Sequence, residues 1–300
     1  MHIQKKILHV LASLARGLHL WPFIARSGLF NRARRRKYPD TIVHLDVVIT
    51  ECCTLRCRDC SNLMQYYHKP ENLDAEEMVT CLRRLLASVK VNQLKLLGGE
   101  PFVCQKSLIR ILEYLRDETD GRVNEIDIIT NGTIVPSEET LNTVTKDPRI
   151  KIVFSNYGEL SSRLEELSSI CDNKGIRYEI VNDDFWWDFG DLRIRDEKQS
   201  KTQHRYDGCY SRRLCTTLYR GKLYICPRQA HAINLGIIPE VKDEIVDVKD
   251  PLFDDPSVLH KAVDILIDRR ECISTCKRCG CDSGKKVSRA VQAERPINVS

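Results

Sequence analysis

Between residues 41 and 182, apolar runs of strand length alternate with amphipathic stretches of helix length, and that alternation admits few folds. Near-continuous apolar runs at residues 42–49, 94–97, 126–130, 150–154 and 176–181 read as strands buried on both faces. Asp74, with Glu77 three residues on, marks a helix start, and Met78, Leu82, Leu85, Leu86 and Val89 then fall on one face. Leu108, Ile111, Leu112 and Leu115 repeat the pattern, Pro136 and Ser137 open another helix, and residues 160–171 form a fourth that stops at Gly175. Strands joined by helices pair in parallel, so the expected class is α/β, a parallel sheet or partial barrel. Chemistry in such folds gathers at the carboxyl ends of the strands.

Four polar signals lie there. The first run is followed by Cys53, Cys57 and Cys60, with gaps of three and then two residues; the second ends in Gly98-Gly99-Glu100-Pro101, the third in Asn131-Gly132 and the fourth at Ser155. Three thiolates this close can ligate three irons of a cubane cluster, whereas a cluster that only carries electrons is usually held by four cysteines. The fourth iron is then either ligated from afar or left open. Cysteine is the compositional outlier, 14 in 300 residues, and its clustering suits metal ligation in a reducing compartment better than disulfides. A structural zinc site is the bland alternative for the loop, and the Gly-Gly-Glu-Pro turn counts against it. Cys52 is a spare thiol; Cys81, Cys104 and Cys171 read as plain buried residues.

Beyond residue 182 the character changes. Asp183, Asp184, Phe185, Trp186, Trp187, Asp188 and Phe189 form an aromatic and acidic stretch, and residues 196–207 read as a polar linker, which places a boundary near residue 205. The expected organisation is an arm at 1–40, a core at 41–205 and a cysteine-rich domain at 206–300. In the last, Cys209, Cys215 and Cys226 flank a hairpin that turns near Gly221, and a helix from Ser257 to about Arg270 delivers Cys272, Cys276, Cys279 and Cys281. Cys-x2-Cys pairs of this kind also build four-cysteine zinc sites.

In the arm, Ile3, Ile7, Val10, Leu11, Leu14 and Leu18 form the apolar face of a helix with Lys5, Lys6 and Arg16 elsewhere on the wheel, followed by the basic run Arg32, Arg34, Arg35, Arg36 and Lys37. Residues 1–37 suit either docking on an anionic membrane surface or packing on the body. The arm holds nine Lys or Arg and one Asp, so the chain's positive excess resides there and the remainder is about −3. That remainder shows no basic stripe for nucleic acid. Lys5 and Lys6 before a short apolar run also fit an export signal, which a chain built on reduced thiols argues against.

The pattern Cys53-x3-Cys57-x2-Cys60 after a first strand, with Gly-Gly-Glu-Pro after the second, resembles the radical S-adenosylmethionine (SAM) superfamily over residues 42 to about 182. The resemblance implies a partial (β/α)6 barrel with a small C-terminal cysteine-rich α+β domain. It implies a [4Fe–4S] cluster on Cys53, Cys57 and Cys60 whose open iron takes the amine and carboxylate of S-adenosylmethionine. Gly98, Gly99, Glu100 and Pro101 then sit against the cofactor, Glu100 near its ammonium group, and Asn131 and Ser155 match positions that contact its ribose or carboxylate. Asp59 departs from the aromatic residue often found before the third cysteine, which leaves the adenine contact there unassigned.

Cys209-x11-Gly221-x4-Cys226 is similar to the opening of a SPASM domain, and the short tail fits its one-cluster "twitch" variant. That similarity implies an auxiliary [4Fe–4S] cluster on Cys226, Cys276, Cys279 and either Cys209 or Cys215. Together the resemblances imply a cytoplasmic enzyme that cleaves S-adenosylmethionine reductively, is fed by flavodoxin or ferredoxin, and oxidises a sugar or other alcohol by two electrons. The substrate class expected is a small molecule or glycan, with Asp183, Asp184 and Asp188 as candidate bases and Trp186 and Trp187 as stacking surfaces. Radical modification of a peptide and a non-enzymatic electron carrier are the other two classes open.

Overall fold

The computed structural model describes residues 41–209, 211–281 and 283–294. The expected amphipathic arm and its membrane contact fall in residues 1–40, outside the described residues. Among the latter, no helix is long and apolar enough to cross a membrane.

The five expected strands form, as β1 (Thr41–Thr50), β2 (Lys90–Gly98), β3 (Val123–Thr130), β4 (Ile150–Ser155) and β5 (Tyr178–Val181), each parallel to the next. The helices between them are α1 (Ala75–Ser88), α2 (Gln105–Glu118), α3 (Glu138–Thr145) and α4 (Leu164–Lys174). The Asp74 carboxylate caps α1 by accepting from Glu77 N at 2.8 Å, and Gly175 ends α4 at a φ of 66°. α1 buries Met78, Leu82, Leu85 and Leu86 on one face, and Val89, the fifth residue that periodicity selects, is buried as its C-cap. Each such side chain contributes roughly 1.5–3 kcal/mol when removed from water.

Two features differ from expectation. Residues 196–207 are not an open linker: α5 (Gln199–Gly208) forms there and buries Thr202, Arg205, Tyr206 and Asp207. Tertiary contacts override its polar composition, for Arg205 Nη2 reaches Glu197 at 2.7 Å, its Nη1 donates to Cys276 O at 2.8 Å, and Tyr206 is 2% exposed. A short α6 (Ser211–Leu214) follows. The expected hairpin, β7 (Thr216–Tyr219) and β8 (Lys222–Tyr224), turns on Arg220 and Gly221, at φ 49° and 78°, the two positive values of a type I′ turn. It does not stand apart from the core. β7 pairs in parallel with β1, so six parallel strands run in the order β5-β4-β3-β2-β1-β7 before β8 and β9 (Val246–Asp247) extend the sheet antiparallel. This is the (β/α)6 open barrel. One hydrophobic cluster runs from Ile42 through Tyr206 to Ile273, across the position near 205 where composition changes.

The aromatic stretch forms β6 (Trp186–Trp187), paired antiparallel with β10 (Lys286–Val287), and α7 (Pro227–Asn234) and α8 (Pro256–Ile267) complete the C-terminal region. Asp46, Lys95, Asp127 and Lys151 lie in register across β1 to β4, and Lys151 Nζ reaches Glu179 at 2.9 Å and Asp127 at 3.6 Å. Opposite charges on adjacent strands hold this face in register.

Candidate functional site: two groups of cysteines

A cavity of about 600 Å³ opens at the carboxyl ends of the strands. Cys53, Cys57 and Cys60 line it together with Gly98, Gly99, Asn131 and Ser155, so seven of the expected cofactor and metal positions meet there. The aromatic and acidic stretch closes the other side through Asp183, Asp184, Phe185, Trp186, Trp187 and Phe189. Glu100 and Pro101 do not line it.

The two glycines are demanded first by the chain itself. A Cβ on Gly98 would lie 2.0 Å from the Thr50 carbonyl oxygen, and one on Gly99 would lie 2.1 Å from that of Cys52. The second strand's end therefore packs directly on the cysteine loop, and Gly99 N donates to Thr50 O at 2.9 Å and Glu100 N to Cys52 O at 2.8 Å. The Glu100 carboxylate is wholly buried and accepts from Phe102 N at 3.1 Å, Thr130 Oγ1 at 2.9 Å and Asn131 N at 2.8 Å. Burial pushes its carboxyl up to about 7 against these three donors. It joins the β2 turn to the end of β3 and has its oxygens engaged there.

Asn131 acts on the loop as well as on the cavity. Its amide donates to Thr54 Oγ1 at 3.1 Å and approaches Cys53 Sγ at 3.7 Å. Leu55 N also points at Cys53 Sγ, at 3.4 Å. Burial pushes the Cys53 thiol up to about 12 and Cys57 to about 11, and raises Cys60 while the Arg228 guanidinium opposes it. Bare, these sulfurs stay protonated; N–H groups aimed at two of them and a cationic iron among them are what favour thiolate. The loop fits a cluster on that ground. Asp59, in the unassigned adenine position, pairs with Arg58 at 3.1 Å and faces the cavity.

The second group is assembled from three distant segments. Cys209, Cys226, Cys276, Cys279 and Cys281 ring a small cavity of about 30 Å³, and three of them, Cys209, Cys226 and Cys279, also line one of about 290 Å³ beside it. Cys215 lines only the larger, next to Asp46. Burial raises the Asp46 carboxyl beside it to about 6, with the Lys95 ammonium opposing. Cys281, which spacing leaves as a flanking residue, lies in the same ring, and its neighbouring thiol holds Cys209 and Cys279 below the usual thiol range. Around the ring, Arg212 Nη1, Arg228 Nε and Thr275 Oγ1 are buried with no hydrogen-bond partner among the described residues. Three orphaned donors facing five sulfurs fit an anionic inorganic cluster.

No three His, Cys, Asp or Glu side chains among the described residues converge as ligands of one metal ion. A tetrahedral zinc needs its sulfurs within about 2.3 Å of a single point. A cubane distributes its ligands over separate irons, so neither group has to meet that condition.

Three contributors escape sequence reading. Tyr157 lines the first cavity with the three thiols, half-buried and edge-on to Trp186 at 5.5 Å between centroids. Arg228, 4% exposed, donates to Gly190 O at 2.9 Å and favours thiolate at both Cys60 and Cys279. Gln292 donates to Cys57 Sγ at 3.4 Å from 235 positions away. None belongs to a local pattern.

A family model described as a 4Fe-4S single cluster domain matches residues 44–149. The GTP 3',8-cyclase of Bradyrhizobium diazoefficiens is 34% identical over 141 residues, 43% of this chain and 41% of that protein. The GTP 3',8-cyclase of Clostridium acetobutylicum is 24% identical over 173 residues, 53% and 52% of the two. The chain thus spans about half or less of the length of these curated relatives. Among solved structures, BtrN in complex with AdoMet and 2-DOIA covers 86% of this chain and 98% of that one at 16% identity and a TM-score of 0.48. Streptococcus suis SuiB bound to the precursor peptide SuiA covers 84% and 72% at 14% identity and a TM-score of 0.44. A three-cysteine loop packed on its Gly-Gly-Glu-Pro turn at the rim of a parallel sheet, inside the matched residues 44–149, is the arrangement of the radical S-adenosylmethionine superfamily, to which the chain is similar over those residues.

Proposed function

We propose that this enzyme uses the radical it generates for a two-electron oxidation of a sugar or other alcohol, with a second [4Fe–4S] cluster in the C-terminal region as electron acceptor. The observation that carries this reading is the shared cavity: Cys53, Cys57 and Cys60 form one wall, Trp186, Trp187 and Asp183 another. Bound on Cys53, Cys57 and Cys60, a [4Fe–4S] cluster with S-adenosylmethionine supplies one-electron reduction and a 5′-deoxyadenosyl radical.

The chain's own residues then hold a substrate within reach. Trp186 is braced by Tyr157 and offers a ring face to a sugar's C–H surface. Asp183 and Asp184 are exposed at the cavity and are the bases proposed for the hydroxyl proton. Asp188 is set aside: Lys285 Nζ at 2.9 Å and Gly190 N at 2.7 Å engage its carboxylate, and Lys285 holds it below the usual carboxylate range. For the second cluster the ring supports Cys209, Cys226, Cys276 and Cys279 as ligands, with Cys215 beside Asp46 instead.

The similarity to GTP 3',8-cyclases favours a second reading, attack on a nucleotide. Mass spectrometry of deuterium transfer into 5′-deoxyadenosine decides between them. Transfer from a carbinol-deuterated sugar, with release of the oxidised carbonyl product, is expected; transfer from ribose-deuterated GTP and none from alcohols would overturn the first reading.

A further inference from the structure

The tail after β10 returns to the first cysteine loop and lies along it as an antiparallel bridge at Cys57 and Gln292. Arg58 N donates to Val291 O at 2.7 Å and Ala293 N to Arg56 O at 2.8 Å. Between these, the Gln292 side chain makes three contacts: its Oε1 accepts from Arg56 N at 2.7 Å, and its Nε2 donates to Ala290 O at 2.7 Å and to Cys57 Sγ at 3.4 Å. The two backbone partners orient the amide unambiguously, because Arg56 N offers only a proton and Ala290 O only lone pairs. The nitrogen is therefore the end that faces the sulfur. Cys57 is 8% exposed, so water competes little with that donor.

We propose that Gln292 is a positioning residue of the radical-generating site, whose amide N–H on Cys57 Sγ raises the reduction potential of the cluster held by Cys53, Cys57 and Cys60. The inference rests on the superfamily reading of that loop. A hydrogen bond to a ligand sulfur favours the more negatively charged, reduced state, and such bonds are among the levers that set cluster potentials. The same tail pairs β10 with β6, and Arg289 Nη1 donates to Asp183 O at 2.7 Å, so one segment ties both the cluster loop and the aromatic wall of the cavity.

The test compares reconstituted wild-type, Gln292→Ala and Gln292→Glu chains by EPR-monitored redox titration without S-adenosylmethionine. Gln292→Glu keeps the acceptor for Arg56 N but replaces the donor by a carboxylate. The expected result is a loop cluster loaded to the wild-type iron content, with midpoint potential shifted negative in Gln292→Ala and further in Gln292→Glu. The fraction reduced at a fixed potential below half-reduction falls several-fold. A strongly coupled exchangeable proton, read by pulsed EPR after transfer to D2O, is present in wild type and lost in both variants. Unchanged potentials in fully loaded variants would overturn the proposal, and so would failure of both to take up iron at the loop, which would make the tail purely a scaffold. A wild-type cluster that does not bind S-adenosylmethionine would overturn the superfamily reading instead, with the Gln292 effect still legible in the potential.

Discussion

The two cysteine groups are built in opposite ways. The first is local: three sulfurs in eight residues follow one strand, and the neighbouring strand ends merely brace them, Gly99 against Cys52 and Asn131 on Thr54. The second exists only once the chain has folded, since Cys209 follows α5, Cys226 follows β8 and Cys276 and Cys279 lie beyond α8. A local group keeps its ligand geometry as long as one loop persists, whereas a dispersed group depends on every element that carries a ligand. The first is suited to an open iron at a cavity wall, the second to enclosure within a ring of sulfurs and arginines.

Independence of the two sites is the sharpest consequence. Replacing Cys53, Cys57 and Cys60 together by Ala is expected to bring 5′-deoxyadenosine release to background while iron and sulfide remain at the C-terminal ring; loss of all iron would break the comparison. Cys209→Ser should do the converse, removing the C-terminal iron while the loop cluster still loads and still cleaves S-adenosylmethionine. Arg205→Ala tests dependence on scaffold. Its guanidinium is 2% exposed and joins Glu197 to Cys276 O, so removing it leaves that carbonyl and Glu197 short of a donor, should cost about 1–3 kcal/mol and should release the C-terminal iron first. Denaturation followed at both cluster absorptions checks the order of loss.

Glu100→Gln probes the bracing of the local group. One of three buried donors loses a good acceptor, and stability should fall by about 1–3 kcal/mol. The pH dependence carries a sign. Burial raises the Glu100 carboxyl from 4.5 to about 7, so the folded chain binds that proton more tightly than the unfolded one. This contribution to stability is complete below about pH 4.5 and is lost as pH rises through about 7, and the glutamine variant should show a shallower decline of the denaturation midpoint across that window. The smallest effect belongs to Cys215→Ser: iron content at both sites should stay at the wild-type level, because Cys215 faces Asp46 rather than the ring.

The contrast also explains what could be read before the fold was seen. Strands β1 to β5 and the loop at their rim were legible because periodicity and spacing are local, and Asp74 and Gly175 marked helix ends by their own chemistry. That Cys209 joins the ring while Cys215 lies beside Asp46 was not, for those positions depend on β7 pairing with β1. Residues 196–207 looked like a linker because α5 buries polar side chains through ion pairs rather than an apolar stripe. Gln292 carried no signal at all: a single glutamine in a tail acquires meaning only when the chain returns to Cys57.

The most direct measurement is product analysis of the reconstituted, anaerobically reduced chain with S-adenosylmethionine. The account predicts 5′-deoxyadenosine and methionine in equal amounts from the wild type and from Cys209→Ser, and neither from the Cys53/Cys57/Cys60 triple variant. No 5′-deoxyadenosine from a fully loaded and reduced wild-type chain would contradict it.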